Sequence, residues 1–235
     1  MKNKQNIFIT LLWWLFTGIV IIITISASFE LFKVFGKYSI SSKNELFFFI
    51  GFIAYLVVHF LFYKPVLIHV MAHELTHALI GMVFGAKSND IHIAKEGGSV
   101  KITKTNFLIS LSPYFVPLYA LIFCWIFSIA DVKYKHWLAL VTGVCVAFHF
   151  ALTLYSMKVH QPDLSADSNF VFSIFFILLM NMVFAVLIFS VISKKIVFWD
   201  FLKAAVLGSA GILKFVFIKI SELGSRFSPK PTGGQ

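Results

Sequence analysis

His73 and His77 stand four residues apart, with Glu74 beside the first, in the run His73-Glu74-Leu75-Thr76-His77. On a helix this spacing stacks the two imidazoles on one face, close enough to share one cation. In such an arrangement the histidines bind Zn2+, while the glutamate is not a ligand and serves as general base toward a water molecule. A metal is needed because water near neutral pH is a poor nucleophile, and coordination lowers its pKa toward about 7. With 8 histidines in 235 residues, about 0.006 accidental matches to the pattern are expected, so chance is a weak explanation. A catalytic zinc normally has three protein ligands and one open position. No third histidine or glutamate follows closely, so another segment must donate it. Asp163, in Gln161-Pro162-Asp163-Leu164 between two later apolar runs, is the first candidate. Its plainer alternative is an Asx-type cap for the helix that follows. His149, a lone histidine inside an apolar run, is the competing ligand, its alternative being an interhelical hydrogen bond. His69, one turn before His73, suits lining or orienting the site better than ligation.

These residues sit in a chain that is 59% hydrophobic and 13% charged, with a mean hydropathy of +0.89. Soluble domains run nearer 45–50% apolar and about 25% charged. This much apolar surface calls for lipid as the solvent, where about 20 apolar residues cross the hydrocarbon. The net charge is +10. The lysines fall mostly in short segments between apolar runs, and no nucleic-acid module leaves a signature, so headgroup contact explains the charge and nucleic acid is excluded as a partner. The only cysteines, Cys124 and Cys145, lie inside apolar runs and imply neither a disulfide framework nor a cysteine metal site.

The elements that must position the site follow from hydropathy and its breaks. The first span covers about 7–29; it is too long for the core of a signal peptide, so an uncleaved span is expected. A second covers about 46–63, Lys64-Pro65 interrupts the run, and a third helix, carrying the histidines, covers about 66–85 and ends at Gly85. Residues 89–104 alternate apolar and polar on both sides of Gly97-Gly98, which predicts a β-hairpin. A fourth span at about 106–130 contains Pro113 and Pro117, which predict a kinked or broken helix whose freed carbonyls neighbours must satisfy. A fifth covers about 137–157. A sixth covers about 169–193, includes Asn181, and has Asp167 as its expected N-cap. In 198–223, Lys203, Ala210, Lys214 and Ser221 form a narrow polar stripe that suits an interfacial helix as well as a seventh span. The tail 224–235 is expected to be disordered. The fold class is therefore an all-α polytopic membrane protein of about six transmembrane helices, with a C-terminal amphipathic or seventh helix and one short β-hairpin. A single helical domain covers 1–223, with its catalytic core at about 66–185. Lysines divide almost evenly between the two sides, so orientation is left open.

A His-Glu-x-x-His motif inside a membrane helix, a hairpin soon after it, and a carboxylate at a later helix start resemble the site-2 protease family of intramembrane zinc metalloproteases. The resemblance covers roughly residues 66–185 and is to a divergent bacterial-type member, which implies a multi-pass protein of a bacterial cell membrane. It implies that His73 and His77 are zinc ligands and that Glu74 is the catalytic base. Asp163 matches the third ligand by position and type, in a Pro-Asp-Leu context where the family has Leu-Asp-Gly. Asn106 and Ser112-Pro113 lie in the fourth span, which could line the substrate cleft. The family's hairpin is thought to present substrate as an added strand, a role that residues 91–103 could take by edge pairing. Two functions follow from these readings. One is a zinc metalloendopeptidase acting on membrane-protein or peptide substrates in the bilayer. The other is a non-proteolytic metal-binding scaffold or regulatory subunit that keeps the fold, for which an intact Glu74 would be idle.

Overall fold

The structure, a computed structural model, describes residues 7–36, 39–62, 64–94, 97–158, 163–166 and 168–227. Helices α1 (Ile7–Gly36), α2 (Lys43–Leu61) and α3 (Val66–Val83) come first. A capping box starts α2: Ser42 Oγ accepts from Glu45 N, and Glu45 reaches back to the Ser42 backbone. The same buried Glu45 accepts a 2.8 Å hydrogen bond from Ser193, tying the start of α2 to a residue 148 positions on. Lys64-Pro65 separates α2 from α3 as expected, and α3 closes at Gly85 with φ +72, a left-handed conformation that glycine adopts without steric cost.

Strands β1 (Ser88–Ala94) and β2 (Gly97–Ile102) pair antiparallel, with Ala94 opposite Gly97 and Ile93 opposite Gly98. The hairpin is present, but its turn is not at Gly97-Gly98. Both glycines belong to β2, and positions 95–96 between the strands lie outside the described residues. A bulge between Asn89 and His92 breaks the ladder, with Asp90 at φ 50.

The proline-bearing span is two helices, α4 (Phe107–Phe115) and α5 (Leu118–Ile129), bent by 68°. Then come α6 (Val132–Lys158), the single turn α7 (Asp163–Ala166), α8 (Phe170–Ile192) and α9 (Phe198–Phe227). Asn169, not Asp167, caps α8, its side chain accepting from Val171 N. The extended Asn169 backbone puts its carbonyl-bearing side chain over the first free amides; Asp167 lies outside the described residues.

Among the described residues, six helices (α1, α2, α3, α6, α8, α9) are long and apolar enough to cross a membrane, up to seven spans if the bent pair counts as one. Helix α9 packs on α1 through Phe201, Ala205 and Ser209, spaced four apart and buried, with Ser26 Oγ donating to the Ala205 carbonyl at 2.7 Å. The polar stripe of Lys203, Ala210, Lys214 and Ser221 is exposed on the other side. Helix continues to Phe227, past the expected start of the tail at Gly224; positions 228–235 lie outside the described residues. Helices α2 and α6 approach so closely that a Cβ on Gly51 would strike the Leu140 carbonyl and one on Gly143 the Phe48 carbonyl. Small residues permit this contact, as membrane helix pairs require where lipid offers no hydrophobic driving force.

Candidate metal centre

Helix α3 presents His73 and His77 on one face, their rings 4.9 Å apart. The turn α7 brings Asp163 against both: Asp163 Oδ2 lies 3.5 Å from His73 Nε2 and 3.6 Å from His77 Nε2. One ligand atom from each residue lies within 4.8 Å of the others. Metal–nitrogen and metal–oxygen bonds of about 2.05 Å at the tetrahedral angle set ligand atoms roughly 3.4 Å apart, so the two histidine–aspartate separations fit a single zinc-sized ion. His77 Nδ1 lies 2.9 Å from the Ile109 carbonyl, a partner that fixes the tautomer with Nε2 free to ligate.

Asp163 rides on a turn of only four residues, anchored from behind. Leu164 is 4% exposed and packs with Leu111, Tyr114 and Phe172. Its carbonyl accepts from Ser173 of α8 at 2.7 Å. The chain therefore presents the carboxylate forward while the next side chain plugs the core.

Glu74, also buried, borders a cleft of about 330 Å3 together with His77, Asp163, Ile109, Thr105 and residues Gly98, Ser99, Val100 and Ile102 of β2. The candidate base and two of the three candidate ligands thus face one space, and β2 forms its opposite wall. Gly98 passes directly over Glu74, where a Cβ would lie 2.6 Å from Glu74 Cγ.

His149 is not among the three. It lies buried in α6 with Nε2 3.1 Å from Asn181 Oδ1, the interhelical hydrogen bond that was its alternative reading. His69 bonds Ser156 at 2.7 Å. With His73 and His149 it lines a cavity of about 20 Å3 behind the cluster, room for about one water molecule. The fourth span lines the cleft through Ile109, while Asn106 and Ser112-Pro113 take other places. Asn106 caps α4 by accepting from Ile109 N, Ser112 is fully buried and donates to the Ile109 carbonyl, and Pro113 borders the small rear cavity. A larger cavity, about 530 Å3 between α1, α2, α6 and α8, is lined by apolar side chains with Thr153 and Asn181 and carries no histidine or carboxylate. It is apart from this chemistry.

Comparisons with protein-family models, curated proteins and solved structures give no match.

Two residues, one touching the cluster and one behind it, are not singled out as site components by the sequence. Tyr114 of α4 sets its ring edge-on to His73 at 5.2 Å and its hydroxyl 3.4 Å from Asp163 Oδ2. Asn181 of α8 donates to the Tyr114 carbonyl at 2.9 Å. A polar amide inside an otherwise apolar span was the available signal for the second.

Proposed function

We propose that the chain is an intramembrane zinc metalloprotease, similar to the site-2 protease family, that hydrolyses peptide bonds of membrane-protein substrates. The observation that carries this reading is the convergence of His73, His77 and Asp163, from segments some ninety positions apart, at the edge of a cleft that Glu74 shares. A buried glutamate within an apolar helix is expensive unless a partner or a wet cavity compensates it, and a catalytic base supplies the reason to keep it.

In this reading His73, His77 and Asp163 hold the ion through Nε2, Nε2 and Oδ2. Zinc, when bound, supplies Lewis acidity that polarises a carbonyl and makes water acidic near neutral pH. Glu74 takes the proton of the attacking water and passes it to the departing amine nitrogen. The Ile109 carbonyl holds His77 in the ligating tautomer. Substrate must enter unwound, because an intact helix keeps its carbonyls engaged. Strand β2 supports that requirement: in a two-stranded sheet its outer edge is unpaired, and it walls the cleft, so an extended peptide laid there finds backbone donors and acceptors.

The test is to purify the protein in detergent, measure bound zinc, and follow cleavage of transmembrane peptides by wild type and Glu74→Gln. The reading expects zinc in both and cleavage only in wild type. It expects Asp163→Ala to lose zinc and His149→Ala to keep it. Zinc bound without any Glu74-dependent cleavage would favour the metal-binding scaffold; wild type that binds no zinc would remove both.

A further inference from the structure

The candidate ligand with the least scaffold beneath it is Asp163. The two histidines are held by an eighteen-residue helix, whereas α7 has four residues. Leu164 and Ser173 anchor the backbone of that turn, but neither touches the carboxylate. The group that does is the Tyr114 hydroxyl, 3.4 Å from Oδ2, the same oxygen that both imidazoles approach. An ionised carboxylate oxygen has two lone-pair sites, so Oδ2 can accept from the phenol and still face a cation.

Tyr114 is itself braced at a weak point. It lies one residue from the end of α4, where Val116-Pro117 breaks the span. Its carbonyl would ordinarily accept from the amide three or four positions on. Residue 117 is proline and has no N–H, and Leu118 N is turned to the Val116 carbonyl at 2.8 Å. Tyr114 is 1% exposed, so its carbonyl, left unpaired there, would carry the desolvation penalty of a buried acceptor in full. Asn181 supplies the missing donor. Its Nδ2 bonds the Tyr114 carbonyl at 2.9 Å and the Ile177 carbonyl at 2.8 Å, while its Oδ1 lies 3.1 Å from His149 Nε2. A continuous polar line therefore runs from α6 through α8 and the broken end of α4 to the carboxylate on α7.

We infer that Tyr114 and Asn181 are positioning residues that fix the Asp163 carboxylate for metal binding, Tyr114 by direct donation and Asn181 by holding the backbone that carries Tyr114. The inference rests on the reading of His73, His77 and Asp163 as ligands. Partners of this kind typically change metal affinity by about 10–100-fold when removed.

The experiment uses the full chain in detergent with zinc and cobalt ions as probes. Zinc affinity is measured by chelator competition for wild type, Tyr114→Phe, Asn181→Leu and the double variant, and the visible spectrum of the Co2+ form reports ligand geometry. Tyr114→Phe keeps the ring against His73, so the melting temperature of the metal-free protein should stay at the wild-type value while zinc affinity falls about 10-fold and the Co2+ bands change. Asn181→Leu should weaken zinc in the same sense, and the double variant should lose little more than the worse single, because the two act along one line. Tyr114→Phe that binds zinc as tightly as wild type with an unchanged Co2+ spectrum overturns the inference, whatever Asn181→Leu does to folding. In that case the metal reading survives. Wild type without zinc affinity, or His73→Ala with undiminished affinity, overturns the metal reading and this inference together.

Discussion

Gly98→Ala isolates the candidate base from the candidate ligands. The backbone of Gly98 is not in the left-handed region, so alanine can adopt it and the substitution acts through space alone. The added Cβ would lie 2.6 Å from Glu74 Cγ, 2.7 Å from Val70 Cγ1 and 2.8 Å from Glu74 Oε1. Carbon atoms meet at about 3.5–4.0 Å, so either β2 lifts or the Glu74 side chain retreats by about 1 Å. Two of the three obstructing atoms belong to the candidate base and none to His73, His77 or Asp163. A misplacement of about 1 Å in a reacting group costs on the order of 100-fold in rate. The expected outcome is therefore zinc content equal to wild type with cleavage reduced about 100-fold, read with a quenched fluorescent transmembrane peptide that wild type cleaves in a Glu74-dependent way. Gly98→Ala cleaving that peptide at close to the wild-type rate would refute the claim that β2 lies against the base. Loss of zinc in the same variant would refute the separation of base and ligands on which the prediction rests.

Two further outcomes test how the scaffold holds the site. Leu164→Ala removes the side chain that plugs α7 into the core; it should cost about 2–5 kcal/mol of stability and loosen zinc as well, measured by thermal unfolding in detergent and chelator competition. Gly143→Ala drives a methyl group into the Phe48 carbonyl, so α2 and α6 must separate; the melting temperature should fall by the equivalent of about 1–3 kcal/mol while zinc affinity in the folded fraction stays at the wild-type value.

Much of the fold and of the site could be read from residue types, for a physical reason. Ionisable groups are costly in apolar helices, so the few that occur stand out, and helical spacing alone puts His73 and His77 together. The prolines at 65 and 117 marked real breaks because a missing N–H acts locally, whereas Pro113 lies inside α4. Asp163 was visible by type, yet its meeting with His73 could not be derived, since contacts across ninety positions depend on packing that no local pattern encodes. The hairpin was misread in one respect. Gly97-Gly98 looked like the turn, because glycine usually serves φ > 0. Gly98 instead serves a close approach, the absence of a side chain over Glu74, and sequence alone does not separate these two uses of glycine.

Asn181 points to a rule that would have recovered one of the missed residues. A proline inside a membrane span frees the carbonyls three and four positions before it, and the bilayer core has no water to satisfy them. Some neighbouring span must then carry a donor at that depth. In this chain α8 is the neighbour, and Asn181 is the one asparagine in its twenty-three residues. Ser173 and Ser190, its other polar side chains, are engaged with the carbonyls of Leu164 and Leu187. Once α8 packs against α4, the donor that Pro117 demands is Asn181, and that pairing brings the broken end of α4, with Tyr114 on it, to the middle of α8. From there the reach of a tyrosine side chain to Asp163 is a matter of geometry. The two oddities of the apolar spans, a proline pair in one and an amide in another, are then a single feature: the break leaves the Tyr114 carbonyl without a helical donor, and the amide closes it beside the candidate metal centre.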